Sequence, residues 1–362
     1  MPDAGLQPRL QARSGPHGIA DAIARTDYFR RSPHSVGGFG HHKEWQHFVI
    51  LTQAFDLLVN FSLSDEVRAG APPGSELPRI VLLLRETSWD GDVDTFPMKN
   101  SRVGGGKIAA MFGCNSLDFR DGQFKISVTL QDRPIAVDLH LTPLTQPAVV
   151  PTVTMLDGPP LHWVVVPRLT VSGTVTLAER AYALDGAPAY HDHNWGHFLW
   201  GNDVAWEWGF VLPDNTTVPW SLTFVRLTNR SRTTTLMQNL LLWKHEHLVA
   251  IFRDKNFNVR TDLAYLRTRK VFKVPRVMAL LAPETPTDVP ASFEVRAEND
   301  GDWIECRCVA VDVAQVLIPS ETTLGVTIFN EVAAQTTVCG RFRGEDLSFG
   351  GRSILEFIRA GI

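Results

Sequence analysis

The sequence is a long succession of short apolar runs that alternate with polar residues and are cut apart by turn chemistry. "FKISVTLQ", "PIAVDLHLTPL", "HWVVVPRLTVSGTVTLA", "WSLTFVRLTN" and "WIECRCVAVDVAQVLI" are examples, and "RDGQ", "LDGAP", "PDNTT" and "ENDGD" punctuate the chain. A side-chain period of two broken by Gly, Asn and Asp turns predicts antiparallel barrels or sandwiches. Strands do not alternate with helical segments, so a doubly wound parallel sheet is excluded. A helical period shows only in "IADAIARTDYF", where Ile19 and Ile23 fall on one side of a short helix. Strict alternation gives one wet and one apolar face. "FVILTQAF" and "RIVLLLRE", apolar on both faces, fit strands covered twice, as between two packed domains.

At 362 residues the chain is long enough for two domains. The predicted division is an extension at 1–40 rich in Gly, Pro, Ser and Arg, a β domain at 41–212 and a second at 213–362, parted at the "PDNTT" turn. Apolar residues make up 44% and charged residues 20%, as in a soluble globular protein. A net charge of −4 argues against a nucleic-acid partner. No apolar run has the length of a membrane span and no signal-like segment opens the chain, so a cytoplasmic location is expected. Four cysteines are too few for a disulfide framework, and Cys306 and Cys308 are expected to be small buried residues on one strand face. The basic segment at 267–276 is read as a solvated crossing.

Chemistry concentrates in "YHDHNWGHFLWGNDVAWEW", Tyr190 to Trp208, with four tryptophans, three histidines and three acidic residues in nineteen positions. Read as strand, turn and strand, it puts Tyr190, Asp192 and Asn194 on one face and His191, His193 and Trp195 on the other. Trp206 and Trp208 share a face opposed by Glu207, and Trp163, Trp220 and Trp243 fall in neighbouring strands. His191 and His193, with His197 nearby, have a spacing that could reach one metal, but histidines beside acids more often serve as hydrogen-bonding struts. No metal or cofactor is expected. "VGGGK" lacks the phosphate-loop pattern, and GxSxG, HExxH and CxxC are absent.

Acids among tryptophans suit the handling of a hydrocarbon. A carboxyl group held by aromatics loses hydration, so its pKa rises and it keeps its proton near neutrality. It can then protonate an alkene, and indole faces stabilise the cation that results. Alternatively, a polar group holds a carbonyl while the apolar pocket folds a polyene for cyclisation. The structural alternative is a tryptophan-filled core in which Asp192 braces a turn.

"YHDHNWG" followed by "WEWG" resembles the carotenoid hydratase family, also called hydroxyneurosporene synthase-like or AttH-like. "HKEWQHFVI", with Glu44 and Trp45, resembles the family's N-terminal Glu-Trp-Trp-Tyr strand, although Gln46 and His47 replace its last two aromatics. "FGCNSLDFRDGQFKISV" and "VDLHLTPL" resemble its middle strands. The resemblance spans roughly 40–210. It implies a mainly β protein with two lipocalin-like antiparallel domains packed together, few helices and an apolar pocket. It implies a hydratase that adds water to a C=C bond of a hydrophobic isoprenoid or polyketide-type polyene, or a related natural-product cyclase. A non-catalytic binder of an apolar ligand is the third expectation. By position it implies Asp192 and Tyr190 as catalytic groups, with Trp163 by spacing. His191, His193, Asn194, Trp195, Trp206, Trp208, Glu44 and Trp45 are the expected substrate-binding residues. The partner expected is a hydrophobic small molecule, for whose uptake peripheral membrane contact would serve.

Overall fold

The computed structural model describes residues 15–30, 42–64, 76–154, 160–198, 204–262, 269–274, 289–320 and 325–361. Among these residues the one α-helix is Pro16–Thr26. Pro16 opens it, where a missing N–H costs nothing. Ile19 and Ile23, one turn apart, are buried and seat the helix against the first sheet's interior, with Asp27 fully buried just past its end. Almost everything else is strand.

The strands form two sheets on one plan. In each, the first four strands run in order from the centre to one edge, and the last strand returns to pair with the first. In the first sheet Arg180–His197 pairs with His42–Leu51. In the second, Glu345–Gly361 pairs with Ala205–Pro213. Pairing among the described strands is antiparallel, except that Lys270–Lys273 lies parallel to Ala314–Leu317. Of the basic segment at 267–276, residues 269–274 are described and include that short strand; 263–268 and 275–288 lie outside the described residues.

The chain passes from one sheet to the other between His197 and Ala205. Ala205–Pro213 therefore belongs to the second sheet, ahead of the boundary expected at 213. The "PDNTT" turn closes a hairpin between Ala205–Pro213 and Trp220–Thr228. Turn residues mark a reversal of the chain, and a reversal within a sheet has the same composition as one between domains. The Trp-dense stretch is likewise no hairpin, since its two strands sit in different sheets.

Long strands show where the sheets meet. Along Arg180–His197 the first half is largely exposed or half-buried, whereas Ala189 to Asn194 are buried on both faces. Asp302–Pro319 makes the same change, and His42–Leu51 and Ala205–Pro213 are buried throughout. The first sheet curls at a register shift between Val171 and Gly173. Gly173 has φ +133°, and a Cβ there would stand 2.1 Å from the Asp138 carbonyl oxygen, so only glycine fits.

Each sheet encloses its own apolar interior. Phe48, Phe61, Phe112 and Phe124 belong to the first, and Phe224, Phe293, Cys306 and Cys308 to the second. A third apolar cluster fills the space between the sheets, with Trp45, Trp163, Tyr190, Trp206 and Trp208 in it. Polar ties pin its rim. The Arg168 guanidinium donates to the carbonyls of Val218 and Trp220 at 2.8 and 3.1 Å, and Arg352 donates to Asp56 at 3.0 Å.

Candidate active site

Alternation along Arg180–His197 divides its residues between two environments. Tyr190, Asp192 and Asn194 point between the sheets. His191, His193 and Trp195 point into the first domain.

On the first side, cross-strand register builds rows. Asn194 lies between Trp45 and Trp163, and Asp192 between His47 and Val165. The second sheet presents Trp206 and Trp208 opposite them. Trp45 meets Trp206 with ring centroids 5.7 Å apart, His47 meets Trp208 edge-on at 5.6 Å, and Tyr190 stacks on Phe210 at 4.1 Å. Between these walls lies a cavity in two lobes. The first, with about 420 Å³ of unfilled space, is lined by Trp45, Trp163, Trp206 and Trp208 together with His47, Asp192, Asn194 and Glu356. The second, about 700 Å³, extends past Trp45 and Glu356 to Asn60, Arg79, Phe329 and Glu331.

The Asp192 carboxyl is 3% exposed and bound at both oxygens. The Tyr190 hydroxyl donates to Oδ2 and the Asn194 amide to Oδ1, each at 2.9 Å. Burial raises this carboxyl well above its usual range against the pull of the Tyr190 hydroxyl, and the negative charge of Glu356 raises it further. Burial and the Glu356 charge thus favour the protonated form of Asp192. Trp163 also lies near enough to oppose the rise, although its N–H meets no acceptor at hydrogen-bonding geometry. Burial also raises the Tyr190 phenol well above its usual value. Burial pushes His47 down to about 3, so its imidazole is neutral. His47 Nδ1 faces the Asn60 amide at 3.4 Å, and its Nε2 has no protein partner.

Two further acids were not singled out from the sequence. Glu331 and Glu356 are direct cross-strand neighbours on the last two strands of the second sheet. The Trp206 N–H donates to Glu356 Oε1 at 2.5 Å. Burial holds Glu356 up at about 7, and burial with the neighbouring Glu356 charge raises Glu331 well above the usual range. The one available signal was a single Glu within mostly apolar strands, "IFNEVAA" and "SILEFI".

On the other side of the first sheet, Glu44, His191, His193 and Trp195 are turned away from the cavity. His193 bridges two carboxylates, with Nε2 2.8 Å from Glu44 and Nδ1 3.0 Å from Asp27. His191 reaches Asp27 at 2.8 Å and the His47 carbonyl at 2.9 Å. Burial alone would lower His193, but its two carboxylate partners outweigh burial and lift it to about 9. Glu44 is raised by burial and brought down to about 2 by His193 and His42. The His-x-His pair thus straps the helix end to the sheet. Trp195 stacks on His162 at 5.1 Å, and His197 packs beside His42 rather than with His191 and His193. Among the described residues no three His, Cys, Asp or Glu side chains are grouped to hold a metal ion. Glu207 is engaged by Arg226 and Arg359. Trp220 lies in the second sheet's interior, and Trp243 donates its N–H to the Gln146 carbonyl at 3.0 Å.

The fold is mainly β and lipocalin-like, and several solved structures share it. An assigned AttH protein from Nitrosomonas europaea is 14% identical, with a TM-score of 0.62 over 91% of this chain and 96% of that one. Kievitone hydratase from Nectria haematococca is 10% identical, with a TM-score of 0.58 over 91% of each chain. CghA, solved with Sch210972, is 13% identical, with a TM-score of 0.60 over 91% of this chain and 93% of that one. The resemblance read from "YHDHNWG" is thus met at the level of the fold. No family model and no curated protein matches the sequence. Among the described residues no helix is long and apolar enough to cross a membrane.

Proposed function

We propose that the protein is a cofactor-independent enzyme that adds water to a C=C bond of a hydrophobic isoprenoid- or polyketide-type polyene, with Asp192 as proton donor. The observation that carries this reading is the buried Asp192 carboxyl, set among four tryptophans, held at both oxygens by Tyr190 and Asn194 and pushed by burial toward its protonated form. A kept proton makes it an acid, and a dry aromatic wall favours the cation that protonation creates. Trp163, beside Asn194 in the register, would face that cation. Trp45, Trp206 and Trp208 would complete the apolar wall around the substrate. A hydratase among the solved structures of this fold supports the reaction class.

The test is incubation of purified protein with acyclic polyenes in isotopic water. Mass spectrometry should show a product heavier by one labelled water. Asp192→Asn should fold normally and lose roughly 10²–10⁴-fold in rate. Near-normal turnover in the folded variant refutes the acid role. Cyclisation is the second reading, favoured by the neutral hydrogen-bonding set of Tyr190, Asn194 and His47, which can position a carbonyl without giving a proton. Its product is isomeric with the substrate and tolerates Asp192→Asn.

A further inference from the structure

The two sheets repeat one plan, and each carries a carboxyl at the corresponding place. Asp192 lies on the last strand of the first sheet, beside His47 of that sheet's first strand. Glu356 lies on the last strand of the second, beside Trp208 of that sheet's first strand. Both side chains line the first lobe, and Glu356 also lines the second, so it stands where the lobes join. It is supported on both flanks of its own sheet, by the Trp206 N–H on one side and by Glu331 on the other. Glu331 Oε2 is buried without a hydrogen-bond partner, and Glu331 lines the second lobe.

We infer that Glu356, braced by Trp206 and Glu331, is a second reacting group of the site: the carboxylate that takes up a proton while Asp192 gives one, and the counter-charge for the positive centre between them. This rests on the reaction proposed above. The Asp192 O–H bond breaks as a C–H bond forms on the alkene, leaving a cation and an Asp192 carboxylate. The water oxygen bonds to the cationic carbon as Glu356 takes one water proton. The product is the alcohol, and passage of the proton from Glu356 to Asp192 restores both groups. Glu356 is suited to this because it is held at about 7, so both its forms are populated near neutrality, whereas burial pushes Asp192 and Glu331 further toward their protonated forms. The titratable groups facing it are Glu331 in its own sheet and, across the cavity, Asp192 and His47 in the first lobe and Arg79 in the second.

A lipophilic ammonium ion mimics the cation and needs no knowledge of the natural substrate. The probe is N,N-dimethyloctylammonium, with binding measured by calorimetry at several pH values for the wild type, Glu356→Gln, Trp206→Phe and Asp192→Asn. Wild-type affinity should rise about tenfold per pH unit up to about pH 7 and then level, because the probe requires the Glu356 carboxylate. Glu356→Gln should bind at least ~10-fold more weakly near pH 8 and lose that rise. Trp206→Phe removes an N–H that favours the carboxylate, so the rise should move to higher pH, which tests the assignment even if Glu356→Gln does not fold. Binding by folded Glu356→Gln with the wild-type affinity and pH profile overturns the inference. The two proposals fail separately. Rate loss in Asp192→Asn with unaltered probe binding in Glu356→Gln keeps the acid and discards Glu356. Glu356-dependent probe binding in a protein that hydrates no polyene keeps the counter-charge and discards the reaction.

Discussion

Replacing Glu44 by Gln removes one of the two carboxylates that hold the buried His193 imidazolium. Both side chains are fully buried, so solvent screens little of the loss. The fall of Glu44 from its usual 4.5 to about 2 corresponds to about 3 kcal/mol of stability. The rise of His193 from 6.5 to about 9 describes largely the same contacts from the other partner and is not added. The Glu44 contribution is complete above about pH 4.5 and is lost as pH falls toward 2. The His193 contribution is complete below about pH 6.5 and is lost as pH rises through 9. Wild-type stability should therefore be greatest between about pH 4.5 and 6.5 as far as this cluster governs it. Glu44→Gln should lower the unfolding free energy by about 3 kcal/mol at pH 6, weaken the acid limb and bring the alkaline limb to lower pH. Urea unfolding followed by tryptophan fluorescence across this range measures all three. A variant within about 0.5 kcal/mol of wild type with an unchanged acid limb would refute the charged-cluster account.

Tyr190→Phe deletes one of two donors to Asp192 but leaves the acid, so its rate loss should be smaller than that of Asp192→Asn in the same polyene assay. Gly173→Ala pushes a Cβ onto the Asp138 carbonyl and should destabilise the fold by more than about 2 kcal/mol, read from the shift in urea midpoint. Incubation with a chelator should leave polyene turnover unchanged; stoichiometric metal lost together with activity would contradict the strut assignment of His191 and His193.

Much of the site's first wall was legible because a strand has a period of two. That period alone separated Tyr190, Asp192 and Asn194 from His191, His193 and Trp195, and the structure gives each set its own environment. What each face meets was not legible. Asp27 is 164 positions from His191, and no local pattern announces that contact. Glu44 follows the same parity rule as Trp45 but on the opposite face, so adjacency in sequence placed two neighbours in two different environments. Glu331 and Glu356 were hidden for another reason: their significance lies in facing the first sheet, and facing is a property of the assembled pair. The fold class came through because the alternation and turn chemistry recur along the whole chain, whereas the boundary was misplaced because one reversal looks like another.

Because each sheet has its own apolar interior, the cavity is made of what would otherwise be the outer surfaces of two domains. Changes to the cavity wall thus leave both folding interiors intact. Such a wall can be rewritten for a new ligand while the scaffold persists, in keeping with a fold shared with kievitone hydratase and CghA at 10–13% identity. The repeated plan adds a second freedom. Each wall is carried on its own support, so a small rotation of one sheet against the other about the Arg168 and Arg352 ties would reshape the cavity without breaking a strand pair. The binding space is in this sense an interface folded into a single chain, and its shape is set by how two separately supported surfaces are held together.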